Sequence, residues 1–274
     1  MNRKVMRVME LCLAVVLAVS LVMVIRTRLG YAEGASVYNE AAAAAELPEL
    51  TAIPVEETKT VPLSADVEEE AVIVTDPNLI SMARMDLNAL REENSDVLGW
   101  ITIPETELSY PLLQTVDNDY YLIHSWKKKG SNVGAIFMDF RSSADLTDFN
   151  TVIYGHRMRN GSMFASLKYF NDQEHWRTHP SVYLACFGGV YRYDIFAAYE
   201  ASVGGSVYDF SERDEEDREA FIGSCLELSV IDTGIVPAAD DHILTLSTCT
   251  GNGYANRWVV QAVLAEFMPV INTP

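Results

Sequence analysis

The chain has 274 residues, 49% of them hydrophobic, which supplies apolar material for a sizeable core and excludes a wholly disordered protein. The net charge of -19 is unevenly placed: residues 1–28 hold five basic groups and one acidic, leaving 15 basic against 38 acidic beyond them. A surface that acidic repels phosphate backbones, so nucleic acid is excluded as a partner.

Arg3, Lys4 and Arg7 precede an apolar run over Leu11–Ile25, extended by Val8 and Met9, with Arg26 and Arg28 behind it. Residues 8–25 are long enough for a tilted membrane span whose flanking arginines snorkel to the interface. Ala32-Glu33-Gly34-Ala35 is a weak cleavage site set after a second basic cluster, so an uncleaved signal anchor is expected over residues 1–30. Its amino terminus is placed inside by the positive-inside rule. Residues 31–75 are rich in Ala, Glu, Pro and Thr, carry a like-charge excess and lack a sustained period apart from the alanine run 41–45. Such composition predicts a disordered acidic stalk.

Order is expected from Asp76-Pro77, an N-cap followed by proline at the first helical position, with Leu79, Ala83, Leu87 and Leu90 on one helical face. Strands then dominate: Val97–Ile103, Ala135–Asp139, Thr151–Tyr154, Val182–Phe187, Tyr191–Tyr199, His242–Thr248 and Trp258–Glu266, with Pro104 and Pro111 punctuating the stretch after the first. Two helical insertions interrupt them, Ser162–Phe170 and Ser211–Val230, the second opening on the acidic run Asp214–Asp217 and carrying Phe221, Ile222, Cys225 and Leu226 at helical spacing. The expected fold is mostly β with added helices, a closed or nearly closed β architecture in one unit over residues 76–274.

The four cysteines form no C-x-x-C pair and the five histidines no H-E-x-x-H, so no metal site is expected. In Thr245-Leu246-Ser247-Thr248-Cys249 a β-rich run ends in a thiol, a glycine-punctuated turn follows, and Arg257-Trp258-Val259-Val260 re-enters a strand. Paired as a hairpin, the two runs bring Cys249 and Arg257 face to face. Alternation sets Cys249 with Thr245 and Ser247, away from Leu244 and Leu246, and sets Arg257 with Val259 and Gln261. A guanidinium beside a sulfur can stabilise an oxyanion and lower a thiol pKa. The base is sought upstream in Tyr154-Gly155-His156-Arg157-Met158, where a β-branched strand meets a glycine. Each of these residues also has an inert reading: a buried cysteine, a rim arginine, a hydrogen-bonded histidine.

Together, Thr-Leu-Ser-Thr-Cys at 245–249, the arginine eight residues on and Tyr-Gly-His-Arg-Met at 154–158 resemble the catalytic set of a sortase. The resemblance covers the ordered region, and residues 117–122, residues 134–139 and the helix-bearing insert before the cysteine strand resemble class B members. It implies a closed eight-stranded barrel with N-terminal helices, and a membrane-anchored cysteine transpeptidase with its catalytic domain outside a Gram-positive-type cell. By that likeness Cys249 cleaves a C-terminal sorting signal after threonine and forms a thioester. His156 is general acid then base, and Arg257 holds the oxyanion. Asn118, Leu122, Ser247, Thr248 and Tyr208 match positions near the sorting-peptide groove. The implied partners are a surface protein bearing the signal and an amine of a cell-wall precursor or peptidoglycan, with no cofactor and a monomeric catalytic domain.

Arg157 departs from the family, which more usually places asparagine after the histidine, and adds a cation beside His156. Two rival readings stay open: a pilin-polymerising sortase, and a non-catalytic envelope adhesin or scaffold. Cys186 on a strand and Cys225 on the apolar face of the inserted helix are expected as buried free thiols.

Overall fold

The computed structural model describes residues 3–55, 76–251, 253 and 255–270. Eight strands, β1 (Val97–Thr102), β2 (Ser109–Leu113), β3 (Ile136–Met138), β4 (Asn150–Tyr154), β5 (Ser181–Cys186), β6 (Gly189–Ser202), β7 (Ile243–Cys249) and β8 (Asn256–Pro269), close into a barrel. Their order around it is β1-β2-β3-β4-β7-β8-β6-β5, and β5 pairs back onto β1. The β2–β3 and β4–β7 pairs are parallel and the others antiparallel. Closure leaves no long unpaired edge.

The expected strands are all present, joined by β2. Pro111 lacks the donor a central strand uses, which hides β2 in the sequence. The protein accommodates it because β3 pairs only with Leu112 and Leu113 and leaves Pro111 unpaired on that side. On β4, β7 and β8 the alternation is clean. Ile153, Leu244, Leu246, Val260 and Ala262 join the main apolar cluster inside the barrel. Ile243, Val259 and Val263 belong to a second cluster on the outer face, with Phe221, Ile222 and Cys225 of the inserted helix.

The helical approach is broken in two. Helices α2 (Pro77–Met82) and α3 (Leu87–Glu93) each have their own cap: Asp76 accepts from the Asn78 amide and Asp86 from the Ala89 amide. Leu79, Leu87 and Leu90 are buried as the period predicts. A short α4 (Gln173–Thr178) follows a 3₁₀ segment over Phe164–Asn171, and α5 spans Glu215–Leu228 with Asp214 as its N-cap. The acidic run thus lies in α5's first turn, where the positive end of the helix dipole favours it.

Helix α1 (Arg3–Ala44) corrects the expectation of a stalk from residue 31. Its apolar part is long enough to cross a membrane by length and composition, with a mean hydropathy of 2.3 and none of that window buried. Beyond it the helix continues unbroken onto the barrel, where Tyr38, Ala41 and Ala45 are buried. The alanines favour helix and permit close approach, and the docking uses backbone groups that leave no apolar period to read. Trp126 Nε1 donates to the Val37 carbonyl at 2.9 Å and the Asp86 amide to the Ala45 carbonyl at 2.9 Å. Residues 56–75 of the expected stalk lie outside the described residues.

Asp76 ties α2 to the barrel as well as capping it: its Oδ2 accepts from Tyr183 Oη at 2.7 Å and from Arg192 Nη1 at 3.3 Å. Replacing Asp76 with alanine removes a cap and takes the acceptor from the buried Tyr183 hydroxyl, at a cost of about 2 kcal/mol. Thermal unfolding of the detergent-solubilised protein is expected to show Tm lowered by roughly 4–8 °C.

Candidate active site

The ladder between β7 and β8 runs in register from Ile243↔Val263 to Cys249↔Arg257, so the thiol and the guanidinium occupy its last rung. Both side chains lie on the outer face with Thr245, Ser247, Val259 and Gln261. The insert between β6 and β7 covers that face, through α5 and a 3₁₀ turn at Ser206–Tyr208, and its cover ends at Tyr208. Tyr208 Oη lies 2.8 Å from Ser247 Oγ. Burial raises the Tyr208 pKa, the Ser247 hydrogen bond and the Arg257 charge oppose the rise, and Cys249 adds to it. One hydroxyl therefore feels both partners of the last rung. Cys249 itself is half-buried, while Cys186 and Cys225 are buried, and all three are free thiols.

His156 reaches the same rim through the parallel β4–β7 pair, in which Tyr154 aligns with Ser247. One step on, the Gly155 amide donates to the Ser247 carbonyl at 3.2 Å and Thr248 Oγ1 donates to the Gly155 carbonyl at 2.8 Å. His156 Nε2 lies 2.7 Å from the Leu122 carbonyl. A carbonyl only accepts, so Nε2 carries the proton and Nδ1 is the nitrogen that gains or loses one. Gly134, at φ 62°, lies against the ring, and a Cβ there would fall 2.9 Å from His156 Cδ2. Arg157 turns its Nη1 to the Thr250 carbonyl and so ties the histidine loop to the cysteine turn.

The remaining expected groove residues separate. Ser247 and Tyr208 flank the last rung. Leu122 contributes its carbonyl to His156 and has a side chain 37% exposed. Thr248 is one residue out of phase with Cys249, faces the other way and pins Gly155. Asn118 is engaged at both ends of its amide: Nδ2 donates to Asp139 Oδ2 at 2.9 Å and Oδ1 accepts from the Phe140 amide at 3.0 Å.

Asp139 was hidden in the sequence as the polar end of a strand. Fully buried, it accepts from Arg141, from Tyr154 Oη at 2.9 Å and from Asn118. The Tyr154 ring stacks with Tyr208 at 6.3 Å, so the Asn118 loop and the Tyr208 wall are joined through this carboxylate. Burial would raise the Asp139 pKa, but the hydrogen bonds from Arg141, Tyr154 and Asn118 outweigh it and hold the carboxyl below the ordinary range.

The other histidines are engaged elsewhere. His124 stacks on Tyr120 at 4.0 Å, His242 Nδ1 bonds the Asp148 carbonyl at 3.0 Å, and His175 stacks on His179 at 4.4 Å. Burial lowers the His175 pKa to about 4, with His179 adding to the effect. Among the described residues no group of three or more His, Cys, Asp or Glu side chains is placed to hold a metal ion.

A half-exposed thiol opposed by a guanidinium, with an imidazole on the same barrel rim, is the equipment of a cysteine acyl-transfer enzyme. Residues 101–265 match the family model of the sortase domain. The chain is 36% identical over 189 residues to sortase B of Listeria monocytogenes, covering 68% of this chain and 77% of that one. It is 30% identical over 187 residues to sortase B of Staphylococcus aureus, covering 68% and 76%. Among solved structures, sortase B of B. anthracis superposes with a TM-score of 0.67 at 30% identity, covering 86% of this chain and 97% of that one. The S. aureus sortase B–substrate complex gives 0.62 at 29% identity, covering 65% and 84%. The chain belongs to the sortase family, in its class B branch, and is a cysteine transpeptidase.

The Asp139 cluster generates a pH dependence. Its folded pKa lies below the unfolded value of about 4, so its stabilisation is full above about pH 4 and is lost as the pH falls through the folded value. Asp139→Asn is expected to have a lower Tm than the parent at pH 7, with the gap closing below about pH 4. Thermal unfolding at a series of pH values checks this.

Proposed function

We propose that this sortase is held in the membrane by residues 8–25 with its amino terminus inside, and works on the outer surface of a Gram-positive-type cell. The observation that carries the mechanism is the Cys249↔Arg257 rung, with Tyr208 and Ser247 beside it and His156 on the adjoining strand end. The Cys249 thiolate attacks the carbonyl carbon of the threonine in a sorting signal. Arg257 donates hydrogen bonds to the oxyanion as the C–N bond breaks, and His156 gives the leaving amine its proton from Nδ1. The product is a thioester to the surface protein. An amine of a cell-wall precursor or of peptidoglycan then attacks that thioester, His156 takes its proton, and Cys249 leaves as thiolate.

Ser247, Tyr208 and Leu122 line the path of the sorting peptide, and Asn118 stands behind them through Asp139. Thr248 acts indirectly, by holding Gly155. The likeness to an S. aureus sortase B solved with substrate supports the sorting-peptide reading, and the class B relatives favour that branch over the pilin-polymerising one. The apolar, exposed first part of α1 supports the anchor.

The test is cleavage of a fluorogenic sorting peptide by the detergent-solubilised protein. Cys249→Ala is expected to abolish turnover, and cleavage that survives it would refute the mechanism. Arg257→Lys is expected to lower the rate on the order of 10²-fold, because a point charge cannot reproduce the guanidinium fork. A rate near that of the parent would remove Arg257 from the site.

A further inference from the structure

Helix α1 reaches the acid/base half of the site: Gly34 lies against Val133, and one turn on Tyr38 meets Gly134. Tyr38 is buried to 7% exposure on a helix whose apolar first part is exposed. Its hydroxyl donates to the Gly134 carbonyl. Burial raises the Tyr38 pKa, with Tyr110 adding to the rise, so the group stays protonated and a donor.

Gly134 is the residue whose missing side chain makes room for the His156 ring. The next amide, Ala135 N–H, donates to the Tyr121 carbonyl at 2.9 Å, which seats the segment bearing Leu122. The Leu122 carbonyl then takes the proton on His156 Nε2. A second path starts from the same ring. Tyr38 meets Tyr110 edge-on at 5.1 Å and 89°, and Tyr110 Oη accepts from the Met163 amide at 2.8 Å. Met163 forms a bridge with Arg157, the neighbour of His156, and the Phe164 amide donates to the His156 carbonyl at 2.9 Å.

We propose that Tyr38 is a positioning residue for His156: docking of the membrane helix holds the backbone platform that orients the imidazole, and the site is complete only with that helix seated. The proposal rests on His156 being the acid/base group. Because α1 is unbroken from its apolar part to Ala44, the same contact fixes the attitude of the reacting groups relative to the helix that enters the bilayer.

The experiment uses the full chain in detergent micelles, with Tyr38→Phe, Tyr38→Ala and, as a control on the same docked stretch, Glu40→Gln. Glu40 pairs with Lys127 and touches neither Gly134 nor Tyr110 in any hydrogen bond or ring contact. Three readouts are taken: kcat and KM per folded molecule, the pH profile of kcat, and the histidine ring ¹⁵N and ¹³C NMR signals assigned through His156→Ala.

Tyr38→Phe is expected to lower kcat about tenfold, to leave KM within about twofold and to displace the pH profile, because a small misorientation of a reacting group is costly. The His156 ring signals should leave the single Nε2–H form. Tyr38→Ala, which loses the Tyr110 path as well, should fall further, and Glu40→Gln should match the parent. Tyr38→Phe with parental kcat, pH profile and His156 ring signals overturns the proposal, even if its Tm falls, since a packing role alone would move Tm only. Failure of the underlying reading looks different: His156→Ala would then turn over at the parental rate, while the ring signals would still report whether Tyr38 sets the imidazole.

Discussion

The register between β7 and β8 is the constraint on which the rest of this enzyme depends. Side chains alternate with period two along a strand, so a slip of one residue would turn Cys249 into the barrel and Leu246 out. Two sets of contacts oppose that slip. Inside, Leu244, Leu246, Val260 and Ala262 are buried in the main core. Outside, a chain of hydrogen bonds crosses four strands: Tyr199 Oη donates to Gln261 Oε1 at 2.9 Å, Gln261 Nε2 to Thr245 Oγ1 at 3.0 Å, and Thr245 Oγ1 to Asn150 Oδ1 at 2.7 Å. Asn150 Nδ2 ends the chain on the Val207 carbonyl at 3.0 Å, one residue before Tyr208. A buried polar chain satisfied at each step rigidifies what it joins. Here the strand register and the wall beside the thiol are set by the same bonds.

The site divides into two halves on different supports. The thiol and the guanidinium belong to the β7–β8 ladder under the insert. The imidazole belongs to the end of β4 and is oriented by loops, through the Leu122 carbonyl and the bare backbone of Gly134. Beyond the β4–β7 ladder, the halves are joined by Thr248 to Gly155, the Gly155 amide to Ser247, and Arg157 to Thr250. Arg157 is informative because the sequence sets its cation next to His156. Its guanidinium turns instead to a carbonyl across the gap, where it works as a tether between the two loops.

Much of the barrel was legible because its strands are β-branched and their turns are marked by glycine, proline and asparagine. Asp76 was readable as a cap from local chemistry alone. The limits were equally physical. Pro111 disguised β2, since whether a missing donor matters depends on which neighbour lies alongside, and that is a property of the barrel. Asp86 split one expected helix in two by capping a second start that the apolar period ran straight through. Residues 31–47 read as stalk because their docking relies on alanines, main-chain carbonyls and one tyrosine, none of which leaves a periodic trace.

For the site, the linear chain by itself determined where the candidate groups sit: a cysteine ending one strand, an arginine starting the next and a histidine at a strand-to-glycine junction. Parity along each strand also determined that Cys249, Ser247, Arg257 and Gln261 share a face, because the period of a strand is local. Only the tertiary structure decided what that face meets. It put Tyr208 at Ser247, gathered Asn118, Arg141 and Tyr154 on the buried Asp139, and laid Tyr38 of α1 against Gly134. Those pairs lie up to 96 residues apart in sequence. They form when the barrel closes and the flanking helices dock on it, a step that local periodicity does not encode.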